Sequence, residues 1–178
     1  MNKSVSVRRL TLSAMLLAAG MLLPFLTGQI QHIGNMLLPM HLPVFICGMV
    51  CGPMWGFAVG MVLPLLRSIV FGMPVLVPAA VCMAFELAAY GMISGLLRSR
   101  LPKTLPMLFV ALITAMLLGR LVWGAVSAML LTASGKGFTW AAFAAGAFVN
   151  AVPGIVLHIL LIPVLVMALE RALPWMKR

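Results

Sequence analysis

Acid is almost missing from this chain: Glu86 and Glu170 are the only carboxylates among its 178 residues. Two are too few for a proton relay. The phosphate-cradling G-x-x-x-x-G-K-[ST] loop is absent, as are G-x-S-x-G and H-E-x-x-H. An ATPase or redox enzyme acting alone is therefore not expected, and any energy for transport must come from another subunit. Charge of either sign is scarce, at 8% of residues, against about 25% in soluble domains. Cysteine is limited to Cys47, Cys51 and Cys82, an odd set within apolar runs that implies no disulfide framework. Cys47 and Cys51 share a helix face, but with no histidine or carboxylate beside them they read as packing residues rather than metal ligands.

What fills the chain instead is hydrocarbon. Hydrophobic residues make up 64% of it and mean hydropathy is +1.20, the composition of an all-α integral membrane protein. A net charge of +10 would suggest nucleic acid in a soluble domain. Here the cations read as orientation signals, and no nucleic-acid partner is expected. Lys3, Arg8 and Arg9 precede an apolar run as in a signal peptide, but no small-x-small cleavage site follows Leu26, so this segment is expected to be a retained first helix.

A spanning helix needs about 20 apolar residues. On that basis six transmembrane helices are expected in a single membrane domain over residues 1–178, at about 10–26, 41–51, 54–71, 77–97, 107–131 and 148–173. The polar loop Gly28 to Met40 separates the first two. The basic loop RSRLPK follows the fourth, and TASGKGFTW with the small-residue stretch AAFAAGAF leads into the sixth. Nine of the twelve Lys and Arg residues fall at the N-terminus, in RSRLPK and at the C-terminus, whereas the opposite face holds only Lys136. That asymmetry predicts cytoplasmic N- and C-termini.

The densest stretch is Asn35 to Arg67, NMLLPMHLPVFICGMVCGPMWGFAVGMVLPLLR. Glycine recurs at Gly48, Gly52, Gly56 and Gly60, a spacing that lines a helix face and lets a neighbouring backbone approach. Pro53 removes a donor and breaks the run into two helices. Charges inside spans cost about 2.5–3.5 kcal/mol each and face bundle interiors or cavities. Here they are Arg67, Glu86 and Arg120, with Glu86 and Arg120 at similar depth. Either Glu86 and Arg120 form a pair that only joins helices, or two arginines share one glutamate and leave a positive charge for an anionic or carbonyl-rich ligand. Arg67 alternatively snorkels to the outer interface. Asn150 either caps the last helix or binds a ligand. His158 is a packing residue or a ligand contact, and Trp123, one turn from Arg120, stacks a flat ligand or another helix. Glu170, beside Arg171, reads as an interfacial pair. Arg120→Ala is expected to abolish binding while leaving the protein folded.

The order of these pieces resembles the substrate-binding (S) components of energy-coupling factor (ECF) transporters. The resemblance covers nearly the whole chain. It rests on A-x-x-x-A at Ala14 and Ala18, the outer loop before LPMHLPVFICG, the glycine-spaced hairpin ending PLLRS, and the segments MAFELAAYGMISGLL, GRLVWG and NAVPGIVLHILLIP. It implies a six-helix bundle in a prokaryotic plasma membrane, with no cofactor. Such a protein binds a vitamin or related micronutrient from outside, and partners with a transmembrane coupling subunit and two ATPase subunits. It further implies that Gly28 to Met40, with His32 and Asn35, is a gating loop. Asn35, Arg67, Glu86, Arg120, Trp123, Asn150 and His158 become candidate substrate contacts, and Ala14 and Ala18 the docking face for the coupling subunit. A metal substrate does not fit, because His32, His41 and His158 are scattered. Two other classes stand beside this one: a stand-alone secondary transporter or channel-like subunit, which would need ion-coupling residues or an inverted repeat, and a structural membrane subunit.

Overall fold

The structure, a computed structural model, describes residues 3–27, 36–135, 137, 139–149 and 151–173. Among these residues there is no strand. The elements are α1 (Lys3–Leu22), ending in a 3-10 turn at Leu23–Thr27; α2 (His41–Cys51); α3 (Pro53–Phe71); α4 (Val81–Arg100), entered through an irregular turn at Leu76–Ala80; α5 (Leu105–Ala133); the short α6 (Trp140–Ala144), widening at Ala145–Val149; and α7 (Val152–Ala172). Among the described residues, five segments are long and apolar enough to cross a membrane: 5–26, 53–71, 76–100, 105–133 and 152–172.

Several boundaries differ from the sequence expectation. The first helix begins at Lys3 and gives way to 3-10 geometry at Leu23, where Pro24 cannot donate to the α-helical ladder. The stretch expected only to lead into the last helix is itself helical, as α6 and its widened end. α7 then starts at Val152, with Pro153 in its first turn, a position where a missing N–H costs nothing.

α2 is the hub. At 11 residues it rises only about 16 Å, roughly half of a bilayer core. Every residue in it except Leu42 is buried, as expected of a helix that is apolar on all sides. α1, α3, α4 and α7 all pack against it. The break to α3 is made by Gly52, at φ 110° and ψ 167°, a conformation that side chains disfavour. Pro53 then opens α3.

The glycine spacing therefore does not run along one helix. Gly48 lies on α2, Gly56 and Gly60 on α3, and Gly52 sits in the break with open space around it. What unites the other three is α4. A Cβ on Gly48 or Gly56 would strike the Gly91 carbonyl, and one on Gly60 would strike the backbone of Leu87 and Ala88. Gly91 and Gly95 answer from α4, facing Gly56 and the Gly48–Pro53 turn. The hairpin and α4 meet backbone to backbone, the close approach that small residues permit in lipid.

α1 covers one flank of α2. Its inward face carries Ser13, which accepts a hydrogen bond from Cys47 Sγ at 3.4 Å, and Gly20, packed on Leu63 and Pro43. Ala14 and Ala18 face outward from the bundle. Glu170 does not pair with Arg171. It accepts from Nε and Nη2 of Arg98 at 2.8–3.1 Å, tying α7 to the end of α4. Residues adjacent in a helix point apart, so the sequence neighbour was the wrong partner.

Candidate functional site

Four helices line one partly open cavity of about 170 Å³. They supply His41 and Phe45 from α2, Tyr90 from α4, Met116 and Arg120 from α5, and Ile155, His158 and Ile159 from α7. Residues four apart lie one above the other on a helix face, so Glu86 stands one turn behind Tyr90 and the Gly154 carbonyl one turn behind His158, each bonded to the lining residue it supports. Leu38 closes one side. It has a positive φ of 52°, and its carbonyl accepts from the His41 N–H at 3.0 Å, starting α2. The neighbouring Met36 and Leu37 backbone lies against Gly154.

Glu86 is the electrostatic centre. Its Oε1 accepts from Tyr90 Oη at 2.8 Å and from an Arg120 guanidinium nitrogen, also at 2.8 Å. Its Oε2 lies 3.9 Å from His41 Nε2, beyond hydrogen-bond reach. Both charges are buried, so each needs the other: an unpaired charge in a low dielectric is costly, and a matched pair with extra hydrogen bonds is tolerated. The pair leaves the centre with no net charge.

Around it the rings cluster. Phe45 stacks on Tyr90 with centroids 4.8 Å apart and planes 27° apart. The His41 ring lies 5.5 Å from Tyr90 and 6.1 Å from His158. His158 Nδ1 donates to the Gly154 carbonyl at 2.5 Å, while its Nε2 and both nitrogens of His41 are buried with no hydrogen-bond partner.

The structure thus brings Glu86, Arg120 and His158 together, and it adds His41, Phe45 and Tyr90, which the sequence reading did not place there. His41 and His158 are not scattered: 117 positions apart in sequence, they adjoin in space. Glu86 and Tyr90 form an E-x-x-x-Y pair whose spacing was legible. Arg67 is elsewhere. Its guanidinium donates to the Met21 carbonyl and lies 5.2 Å from each of the Phe25 and Phe71 rings, a cation–π clamp between α1 and α3. The glutamate has one arginine, not two. Trp123 stacks on Phe143 at 6.3 Å, away from the residues that line this cavity. His32, Asn35 and Asn150 lie outside the described residues, as does most of the loop expected to gate. Among the described residues, no group of three or more His, Cys, Asp or Glu is placed to hold a metal ion.

A family model described as "ECF transporter, substrate-specific component" matches residues 8–166. The chain belongs to this family. The match spans α1 through most of α7, so the S component contains the whole of the cavity described above. No curated protein and no solved structure matches it. The S component is accordingly a multi-pass membrane subunit that gives a transporter its substrate specificity, and it works in a membrane complex with other ECF subunits.

Proposed function

We propose that the S component captures a vitamin or related micronutrient from outside a prokaryotic cell in the cavity between α2, α4, α5 and α7. It then passes the substrate inward through an ECF coupling subunit driven by two ATPase subunits. The observation that carries this reading is a substrate-specificity subunit whose bundle holds a cavity lined by two buried imidazoles with unpartnered nitrogens. Buried polar atoms in a folded protein are normally satisfied, and a bound substrate would satisfy these.

The orientation proposed from charge supports the same reading. With both termini cytoplasmic and α2 counted as a sixth, short crossing, His41, Glu86 and His158 sit near the outward ends of their helices. Each lies within about 9 Å, or six residues, of its helix start. The Met36–Leu38 backbone, packed against Gly154 and the cavity mouth, is where a loop closing over a substrate would be anchored. Arg120, midway along α5, then lies deepest of the polar groups that line the cavity.

Mass spectrometry of small molecules co-purifying with the chain, expressed alone and solubilised in detergent, tests the proposal. A stoichiometric vitamin-like compound is expected, and a chain that stays empty after growth in rich medium refutes it. The docking face makes a separate prediction. Ala14→Leu with Ala18→Leu places two large side chains on the outward face of α1, where close helix approach needs small ones. Substrate binding by the isolated chain should be unchanged, while uptake by the assembled transporter falls to background. Normal uptake would remove α1 from the coupling interface.

A further inference from the structure

The geometry points to an uncharged, flat heterocycle as the substrate of this S component, bound edge-on to His158 through a ring N–H or O–H and to Arg120 through a carbonyl. This inference rests on the cavity being the substrate site, as proposed above, and adds the chemical class.

Charge comes first. The sequence alone allowed a surplus cation in the cavity, which would have favoured a carboxylate or phosphate. The structure removes that surplus. Arg120 is matched by Glu86 at 2.8 Å, and Arg67 is held at the α1–α3 contact by Met21, Phe25 and Phe71. A ligand anion would have to displace Glu86 from Arg120, leaving that carboxylate buried and unpaired, or stay unpaired itself. Either costs several kcal/mol. A neutral ligand disturbs nothing.

Shape and hydrogen bonding narrow the class. The Phe45–Tyr90 stack and the two imidazoles form a group of four rings with neighbouring centroids 4.8–6.2 Å apart, a wall suited to a planar ring. His158 is 1% exposed and His41 2%. A carbonyl accepts only from a protonated nitrogen, so the bond from His158 Nδ1 to Gly154 fixes the neutral ring's tautomer and leaves Nε2 with a lone pair. Nε2 makes no hydrogen bond of normal geometry, so a ligand that places a donor there would satisfy it. Arg120 is donor-only, so any atom it meets in the cavity must be an acceptor. His41, whose Nε2 faces Glu86 at 3.9 Å, adds a second buried ring nitrogen, Nδ1, without a partner. Donor and carbonyl on one flat ring is the pattern of a cyclic amide, imide or ureide.

The test uses as its probe whatever small molecule organic solvent releases from the purified full chain, identified by mass spectrometry. It is quantified for the wild type, for His158→Phe, which keeps a ring but deletes the lone pair, and for His158→Gln, which restores an acceptor. The expected result is an uncharged ring compound with an N–H or O–H and a carbonyl. Its amount should fall about ten-fold or more in His158→Phe, as for a lost buried hydrogen bond, and recover in part in His158→Gln. Monodispersity on size exclusion shows that each variant is folded; should His158→Phe fail to fold, the wild-type and His158→Gln comparison still decides. Release of a carboxylate or phosphate compound overturns the neutral-ring inference but leaves the S-component reading intact. A ring compound retained equally by His158→Phe overturns the role of His158. Release of lipid or detergent only, or of nothing, overturns both readings.

Discussion

Arg120→Ala should cost the S component about 3–5 kcal/mol of stability, the usual penalty for breaking a buried ion pair by removing one partner. The mutation strands Glu86, which is 2% exposed and would keep the Tyr90 hydroxyl at 2.8 Å and the His41 ring at 3.9 Å but no arginine. The expectation drawn from the sequence, lost binding in an intact fold, therefore needs revision: the carboxylate left behind is part of the fold. The pair also sits at a junction of helices, since α4 supplies Glu86, α5 supplies Arg120 and α2 brings His41 against them.

The double variant Glu86→Gln with Arg120→Met separates the two roles left open by the sequence. It deletes both charges at nearly constant volume, and glutamine still accepts from Tyr90. Replacing a whole buried pair is often neutral or stabilising, so thermal unfolding in detergent should place Arg120→Ala well below the wild type and the double variant close to it. An Arg120→Ala midpoint equal to wild type would mean that Glu86 finds water or another partner, and the account of the site would fail. Substrate retention by the stable double variant then decides the rest. Loss of binding assigns Arg120 a direct contact, and full binding makes the pair structural.

How much of this was legible in the sequence follows from the range of each signal. Composition is a property of the whole chain, so the membrane class was plain from 64% hydrophobic residues and two acids. The break at Gly52–Pro53 was plain because it is a local backbone preference. Charges inside apolar runs announced Glu86 and Arg120, because nothing else explains their presence there. The same rule raised Arg67 falsely to the site: it says that a charge needs a partner, and that partner was a carbonyl of α1, 46 residues away. His41 was hidden for the opposite reason. It stands at the edge of a loop, where a polar residue needs no explanation, and only the burial of α2 on all sides turns that position into an interior one. Pairings between distant helices, such as His41 with His158 or Arg98 with Glu170, depend on which faces meet, and a single sequence does not encode that locally.

Gly91→Ala is expected to destabilise the protein even though alanine is the better helix former. The propensity gain is about 1 kcal/mol. Against it stands a Cβ aimed at the backbone of Gly56, with the Gly56 Cα only 2.8 Å away and its carbonyl closer still. A flexible side chain could swing aside, but a helix backbone cannot, so the α2–α3 hairpin must move off α4 as a body. Overpacking of this kind costs about 1–3 kcal/mol or more, and Gly91→Leu should exceed the range and prevent folding. The displacement would also be felt at the site. Tyr90 precedes Gly91 directly and stacks on Phe45 of α2, so parting these helices opens the ring wall, and retention of the co-purifying compound should fall with the unfolding midpoint. Gly137→Ala is the control. Nothing lies within 4 Å of a Cβ there, and its midpoint should stay within about 0.5 kcal/mol of wild type. If Gly91→Ala behaves like Gly137→Ala, the backbone contact between the hairpin and α4 is looser than described, and the positioning of the cavity by that contact falls with it.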